Sequence, residues 1–398
     1  MWKRHKATFI KSFFYLLIFH FLDYGLTILF ETKAFQIFSI QNLASSDFTY
    51  NDLYYRAQEQ NEQESIKRKH KEDIFLINTA SLDGDEFRLQ LAEIIDSVST
   101  FSPKAIGVDI TFKNNDTLIG TTELRNLAAT KKNIVFAYSS KEKYLPLPKN
   151  VTYGDVDLLS EQHSIRFYKG GKETFAYQLF LKARGEYSRA AEWESFPILY
   201  SCIHDGLSHL EEMETDKDFS VQYHYVNADQ VLENPSSIKN YVQNNIVIFG
   251  HLGSKEEDME DKFPVPTDST DMVNRLPVMY GPVIHASALS NMLDDHFLSV
   301  PSPWLIFIIT NLVMFIMVFL IINHTVKLYL ILGLVAFSVL WIWLSIYLME
   351  YNIYIQVGAT LIELLILEEF IETFDPFVKK WVAAYQHKKR KKHEKLDE

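Results

Sequence analysis

A chain of 398 residues, 47% hydrophobic and 23% charged with a net charge of −12, has room for one large domain or two small ones. The acidic total excludes a general nucleic-acid binder, which needs clustered Lys and Arg on its binding surface. The lone cysteine, Cys202, excludes an intramolecular disulfide and is neutral on compartment.

The charge is uneven along the chain. Residues 1–12 carry Lys3, Arg4, Lys6 and Lys11 (+4), residues 379–398 come to +5, and residues 13–30 with 303–378 come to −6, which leaves −15 for residues 31–302. Basic ends therefore flank an acidic middle, with apolar runs between them. Residues 1–8 read as a basic N-terminus. Residues 9–30 read as a membrane anchor, because some twenty apolar residues at about 1.5 Å each cross a core of about 30 Å. No A-x-A-type cleavage site follows, so an uncleaved anchor is favoured over a signal peptide. By the positive-inside rule, residues 31–302 are then expected outside and residues 1–8 inside.

Residues 31–72 read as a helix or extended arm, and the periodicity changes at Asp73. IFLIN (74–78), AIGVDITF (105–112) and NIVFAYS (133–139) read as buried strands. EFRLQLAEIIDSVSTF (86–101) and LIGTTELRNLAAT (118–130) read as amphipathic helices between them. Such alternation predicts an α/β domain with a mostly parallel sheet and flanking helices. The stretch 140–240 is harder to read, with a turn at Gly170 and Gly171, a helix over 174–183, and an extended segment and short helix over 220–235. NNIVIFGHLG (244–253) reads as a strand entering a glycine turn, and YGPVIHASALSNMLDD as a helix starting near Gly281 and Pro282.

Three further apolar runs, 303–323, 327–349 and 353–374, complete a prediction of four transmembrane helices, with a basic tail at 375–398. Both termini are then expected in the cytoplasm and the large domain outside the inner membrane of a bacterial cell. His20 and Asp23, three residues apart on one helical face, and Glu363 are the intramembrane polar candidates. Each reads either as a helix-docking contact or as a proton-linked or signalling group.

Several segments resemble the second family of CHASE domains, the extracytoplasmic sensory modules associated with bacterial cyclases and histidine kinases. NDLYYRA is similar to that family's lead-in. The stretch DIFLINTASLDGDEFRLQLAEIIDSVSTFSPKAIGVDITF is similar to its opening, with Arg88 and Asp109 at the family's Arg and Asp positions. Gly250, Asp261 and Pro266 match its strand, glycine and Asp…Pro loop, and Gly281 and His285 match its Gly…His-Ala helix start. The sequence departs from the pattern in two respects. Asn78 stands where the family often has an acid, and the family's usual output domain is not seen after the last apolar run. The resemblance implies a sensor with an effector partner in a separate chain, in contact with the lipid bilayer and a small ligand; a homo-oligomer is a further alternative.

Ligands of doubly wound sheets collect at the carboxyl ends of the strands. That edge is expected to hold Asn78, Asp83, Arg88, Asp109, Gly250 and His251, joined by Asp261 and His285. They read either as a polar ligand site, or as an Arg88–Asp109 structural ion pair with His285 as a satisfied core or capping histidine. No G-x-S-x-G, Walker A, G-x-G-x-x-G or H-E-x-x-H pattern is present, so no enzyme, cofactor or metal is expected. The competing function is a structural or accessory subunit of an envelope complex that senses no ligand.

Overall fold

The computed structural model describes residues 8–21, 73–82, 84–112, 118–139, 150–159, 164–200, 207–210, 223–253, 261–266, 277–323 and 327–355, with a few single positions between 371 and 380. The chain divides into two units, Asp52–Ser299 and a unit drawn from both ends, Met1–Asn51 with Val300–Glu398.

The larger unit is built on a seven-stranded sheet in which every pairing is parallel. Its strands are β1 (Ile74–Asn78), β2 (Ala105–Asp109), β3 (Ile134–Tyr138), β4 (Thr152–Asp155), β7 (Leu207–His209), β8 (Tyr223–Asn227) and β9 (Ile246–Gly250), ordered β4-β3-β2-β9-β1-β8-β7. Two short antiparallel pairs lie apart from it. They are β5 (Phe167–Lys169) with β6 (Ser195–Pro197), and β10 (Lys262–Phe263) with β11 (Met279–Tyr280).

The central strands are continuously buried because helices cover both faces, and the period-two alternation of strand side chains divides them between two cores. Phe75, Ile77, Ile106, Val108, Val247 and Phe249 join one cluster with α1 (Phe87–Ser99), α2 (Thr121–Thr130) and α4 (Ala228–Glu233). On the other face lie α3 (Phe175–Arg184) and α6 (Gly281–Leu293). A short helix, α5 (Lys239–Val242), leads into β9. Gly107 marks the second face, since a Cβ there would come within 2.8 Å of Phe175 and 2.9 Å of Leu179. Helix α6 is buried from Gly281 to Met292, and Asn291 pins it by exchanging two hydrogen bonds with the backbone of Leu199. The α/β prediction holds, and helix α3 lies one residue further on than the 174–183 the sequence suggests, with Thr174 as its N-cap.

The smaller unit contains a helix over 8–21, α7 (Pro303–Asn323) and α8 (Lys327–Glu350). Tyr15, Leu16 and Phe19 pack with Met314, Met317, Val318 and Ile371. His20 Nε2 donates to Asn311 Oδ1 at 2.7 Å, and Asn311 Nδ2 donates to the Phe307 carbonyl at 2.9 Å. Counting fully described residues alone, no helix is long and apolar enough to cross a membrane. The fully described stretches of α7 and α8, 304–320 and 335–350, rise only roughly 25 Å each. The rest of the anchor, 22–30 with Asp23, and nearly all of the last predicted run, with Glu363, lie outside the described residues.

Candidate functional site

Three adjacent strands bring their carboxyl ends into one row. Gly250 of β9 is in register with Asn78 of β1 on one side and Asp109 of β2 on the other. A Cβ on Gly250 would meet Pro282 Cγ at 2.3 Å, so the glycine lets the first turn of α6 press against the sheet between the two polar residues. Here the backbone approach, not a special dihedral, requires the glycine.

Asn78 uses its whole amide. Its Oδ1 accepts from the backbone N–H groups of Ala80 (3.1 Å) and Leu252 (2.9 Å), while Nδ2 donates to Asn227 Oδ1 (2.9 Å) and the Gly253 carbonyl (2.8 Å). It ties together the turns that leave β1, β8 and β9. An acid here would lack the two donors, which explains why this sequence has Asn where the resembled pattern favours an acid.

Asp109 is its opposite. The side chain is 8% exposed, and Oδ2 has no hydrogen-bond partner; His285 Nε2 stands 3.7 Å from it, too long for a hydrogen bond. His285, on the second turn of α6, is 2% exposed. Its Nδ1 lies 2.7 Å from Tyr168 Oη, which accepts the Ala176 N–H at 3.3 Å and so keeps its own hydrogen for the imidazole. The neutral ring then carries its proton on Nε2, facing Asp109. The rings of Tyr168 and Phe175 stand edge-on to His285.

Asp261 approaches from the segment before β10. Its backbone oxygen accepts the Gly281 N–H at 3.0 Å, and a Cβ on Gly281 would meet its carboxylate at 2.9 Å. The carboxylate therefore lies against the first residue of a 13-residue helix, where the helix dipole favours an anion. Burial first, and the Asp261 charge second, push the Asp109 carboxyl well above the usual carboxylate range. Burial alone holds His285 down to about 3. Tyr168 is pushed upward, chiefly by burial. The arrangement can keep one proton on a buried acid beside a neutral imidazole.

The remaining candidates separate. Arg88 and Asp109 form no pair, because strand alternation sends Asp109 to the α6 side while Arg88 opens α1 on the other face. Its Nη1 donates to Thr121 Oγ1 at 2.6 Å, and its guanidinium stands 5.8 Å from the Phe112 ring centroid. His251 follows β9 with its ring 6.2 Å from that of Tyr280. Asp83 lies outside the described residues. His285 is a satisfied core histidine through Tyr168, as one of the two sequence readings has it, and also the neighbour of Asp109.

Sequence reading misses Tyr168, Asp155 and Lys169. The first sits in a three-residue strand with no periodicity to mark it; the other two form a salt bridge beside it. Among the described residues, no group of three or more His, Cys, Asp or Glu could hold a metal ion.

A family model of the CHASE2 domain matches residues 34–323. No curated protein and no solved structure matches the chain.

Proposed function

The chain belongs to the CHASE2 domain family, a family of sensory extracellular domains, and from that premise we propose that it is a membrane-anchored sensor of the bacterial inner membrane. Its domain responds at the row Asn78–Gly250–Asp109 and passes the change through its apolar helices to a separate partner protein; it is not itself an enzyme. The observation that carries the reading is the extent of the family match, which takes in the whole α/β unit and ends on the last residue of α7. The composition of α7 and α8 supports the anchoring. They are 21 and 24 residues long, and Trp304, Phe307, Leu312, Val339, Leu340 and Trp343 are all exposed. An outward surface of large apolar side chains suits lipid. The basic ends suit the cytoplasmic side, and the acidic domain the outer one.

Protease treatment of spheroplasts, stripped of the outer envelope with the inner membrane intact, from cells expressing the full chain with a tag at each terminus tests the topology. The expected result is digestion of the domain with both tags protected. A domain that stays intact until the membrane is opened overturns the reading. Recovery of the full chain in mild detergent, with identification of the chains that accompany it, tests the relay. The full hydrogen bonding of Asn78 and the Arg88–Thr121 bond favour the second reading, an accessory subunit that senses no ligand. On that reading, Asp109 substitutions that fold leave activity of the complex unchanged.

A further inference from the structure

We infer that the Asp109–His285 pair is a proton-operated latch on Asp261 and the first turns of α6. With one proton held on the pair they stay seated beside β2 and β9; loss of that proton to the surrounding water drives them away. The inference rests on the sensory reading of this same site and names its input as external pH. The step is a single proton transfer. The O–H bond of the Asp109 carboxyl breaks, the proton leaves to water or hydroxide, and the electron pair stays on the carboxylate.

The geometry carries it. Asp109 Oδ2 is buried without a hydrogen-bond partner, His285 is too distant at 3.7 Å to solvate an anion there, and Asp261 adds a second acid from the neighbouring segment. From β5 the group met is Tyr168, itself engaged with His285; from β4 it is Asp155, bridged to Lys169. Helix α3 contributes the apolar Phe175, and β9 contributes Gly250. Lys262, the cation next to Asp261, stands over the Tyr280 ring at 4.7 Å. Among the described residues, a newly formed Asp109 anion would thus face one acid and a neutral imidazole, with no hydrogen-bond donor on Oδ2. The strands β10 and β11 that hold Asp261 to Gly281 are two residues each, so this is where the structure can yield.

Proton counting fixes the sign. The Asp109 value is raised above its ordinary 3.8, and the His285 value is lowered from 6.5 to about 3. Above 3.8 the unfolded carboxyl loses its proton while the folded one keeps it, so the Asp109 part of the stability falls as pH rises towards the raised Asp109 value. The His285 part runs the other way, rising with pH from about 3 to 6.5. Above 6.5 the His285 part is complete and only the Asp109 part changes. Below 3.8 the unfolded pair holds one more proton, so stability falls again as pH drops towards about 3.

Hydrogen exchange of the purified full chain in detergent tests the latch, read over residues 277–293 at about pH 6 and about pH 9, either side of the ordinary histidine range. After correction for the intrinsic pH dependence of exchange, protection in this segment is expected to fall about tenfold or more at the higher pH, while α1 and α2 stay unchanged. Asp109→Asn, neutral at every pH and of the same shape, should keep the low-pH protection throughout. Asp261→Asn, which removes a charge that raises the Asp109 value, should make the loss smaller and bring its end to lower pH. Equal protection of the wild-type segment at both values, or the same pH response in Asp109→Asn, overturns the latch. Either result leaves the topology and partner experiments to decide the sensory reading on their own.

Discussion

Asn78 and Asp109 flank the same glycine in the same row of the sheet, and their surroundings differ completely. Asn78 makes four hydrogen bonds and closes three turns; Asp109, its side chain 8% exposed, leaves an oxygen with none. A polar residue at a strand end does not by itself mark a site. What separates a structural clamp from a responsive group is whether its hydrogen-bonding capacity is used.

The contrast can be broken most forcefully by Asn78→Asp. It exchanges the two donors for an acceptor facing Asn227 Oδ1 and the Gly253 carbonyl, and buries a carboxylate of which only one oxygen keeps its donors. A loss of about 3–5 kcal/mol at neutral pH is expected by denaturant unfolding. The new carboxyl would have a raised value, so the loss should shrink as pH falls. A smaller cost is expected at the glycine between them. Gly250→Ala forces Pro282 and the start of α6 outward, at about 1–3 kcal/mol by thermal unfolding. Arg88→Met keeps much of the packing and removes the donor to Thr121, costing about 1–3 kcal/mol without altering the pH response, because Arg88 lies on the other face. The gentlest change is Asp109→Asn. It should leave stability near wild type below about pH 3.8 and raise it increasingly above wild type as pH climbs from there towards the raised Asp109 value. A destabilised Asp109→Asn at high pH would mean that the anion is welcome there, and that the two residues differ less than the geometry implies.

The sheet's inner strands were legible because burial on both faces leaves near-continuous apolar runs, as in IFLIN and IVIFG. Helix α6 announced itself through Pro282 at its first turn. Strand β4 gave no such signal. TYGD is short and polar, and its Gly154 is needed because a Cβ would come within 2.4 Å of Phe175 Cα, a closeness no local pattern records. The same limit governed the site. Asp109 and His285 carried a family resemblance, but the face to which Asp109 turns followed only from counting alternation back to Val108. The Arg88–Asp109 pair looked plausible until that count was made. Tyr168 was invisible, because its role comes from a contact with a residue 117 positions away.

The position of β9 also bears on how the protein is made. Strands β1 and β2 do not pair with each other; β9 fills the gap between them, and it is among the last parts of the domain to be synthesised. At ordinary translation rates, about 5–20 residues per second, residues 105–109 wait on the order of ten seconds before 246–250 exist to join them. During that time two of the most apolar strands have open edges that could capture a neighbouring chain. A nascent chain that stalls before Ile246 therefore presents two apolar strands with unpaired edges, which only the arrival of the central strand closes.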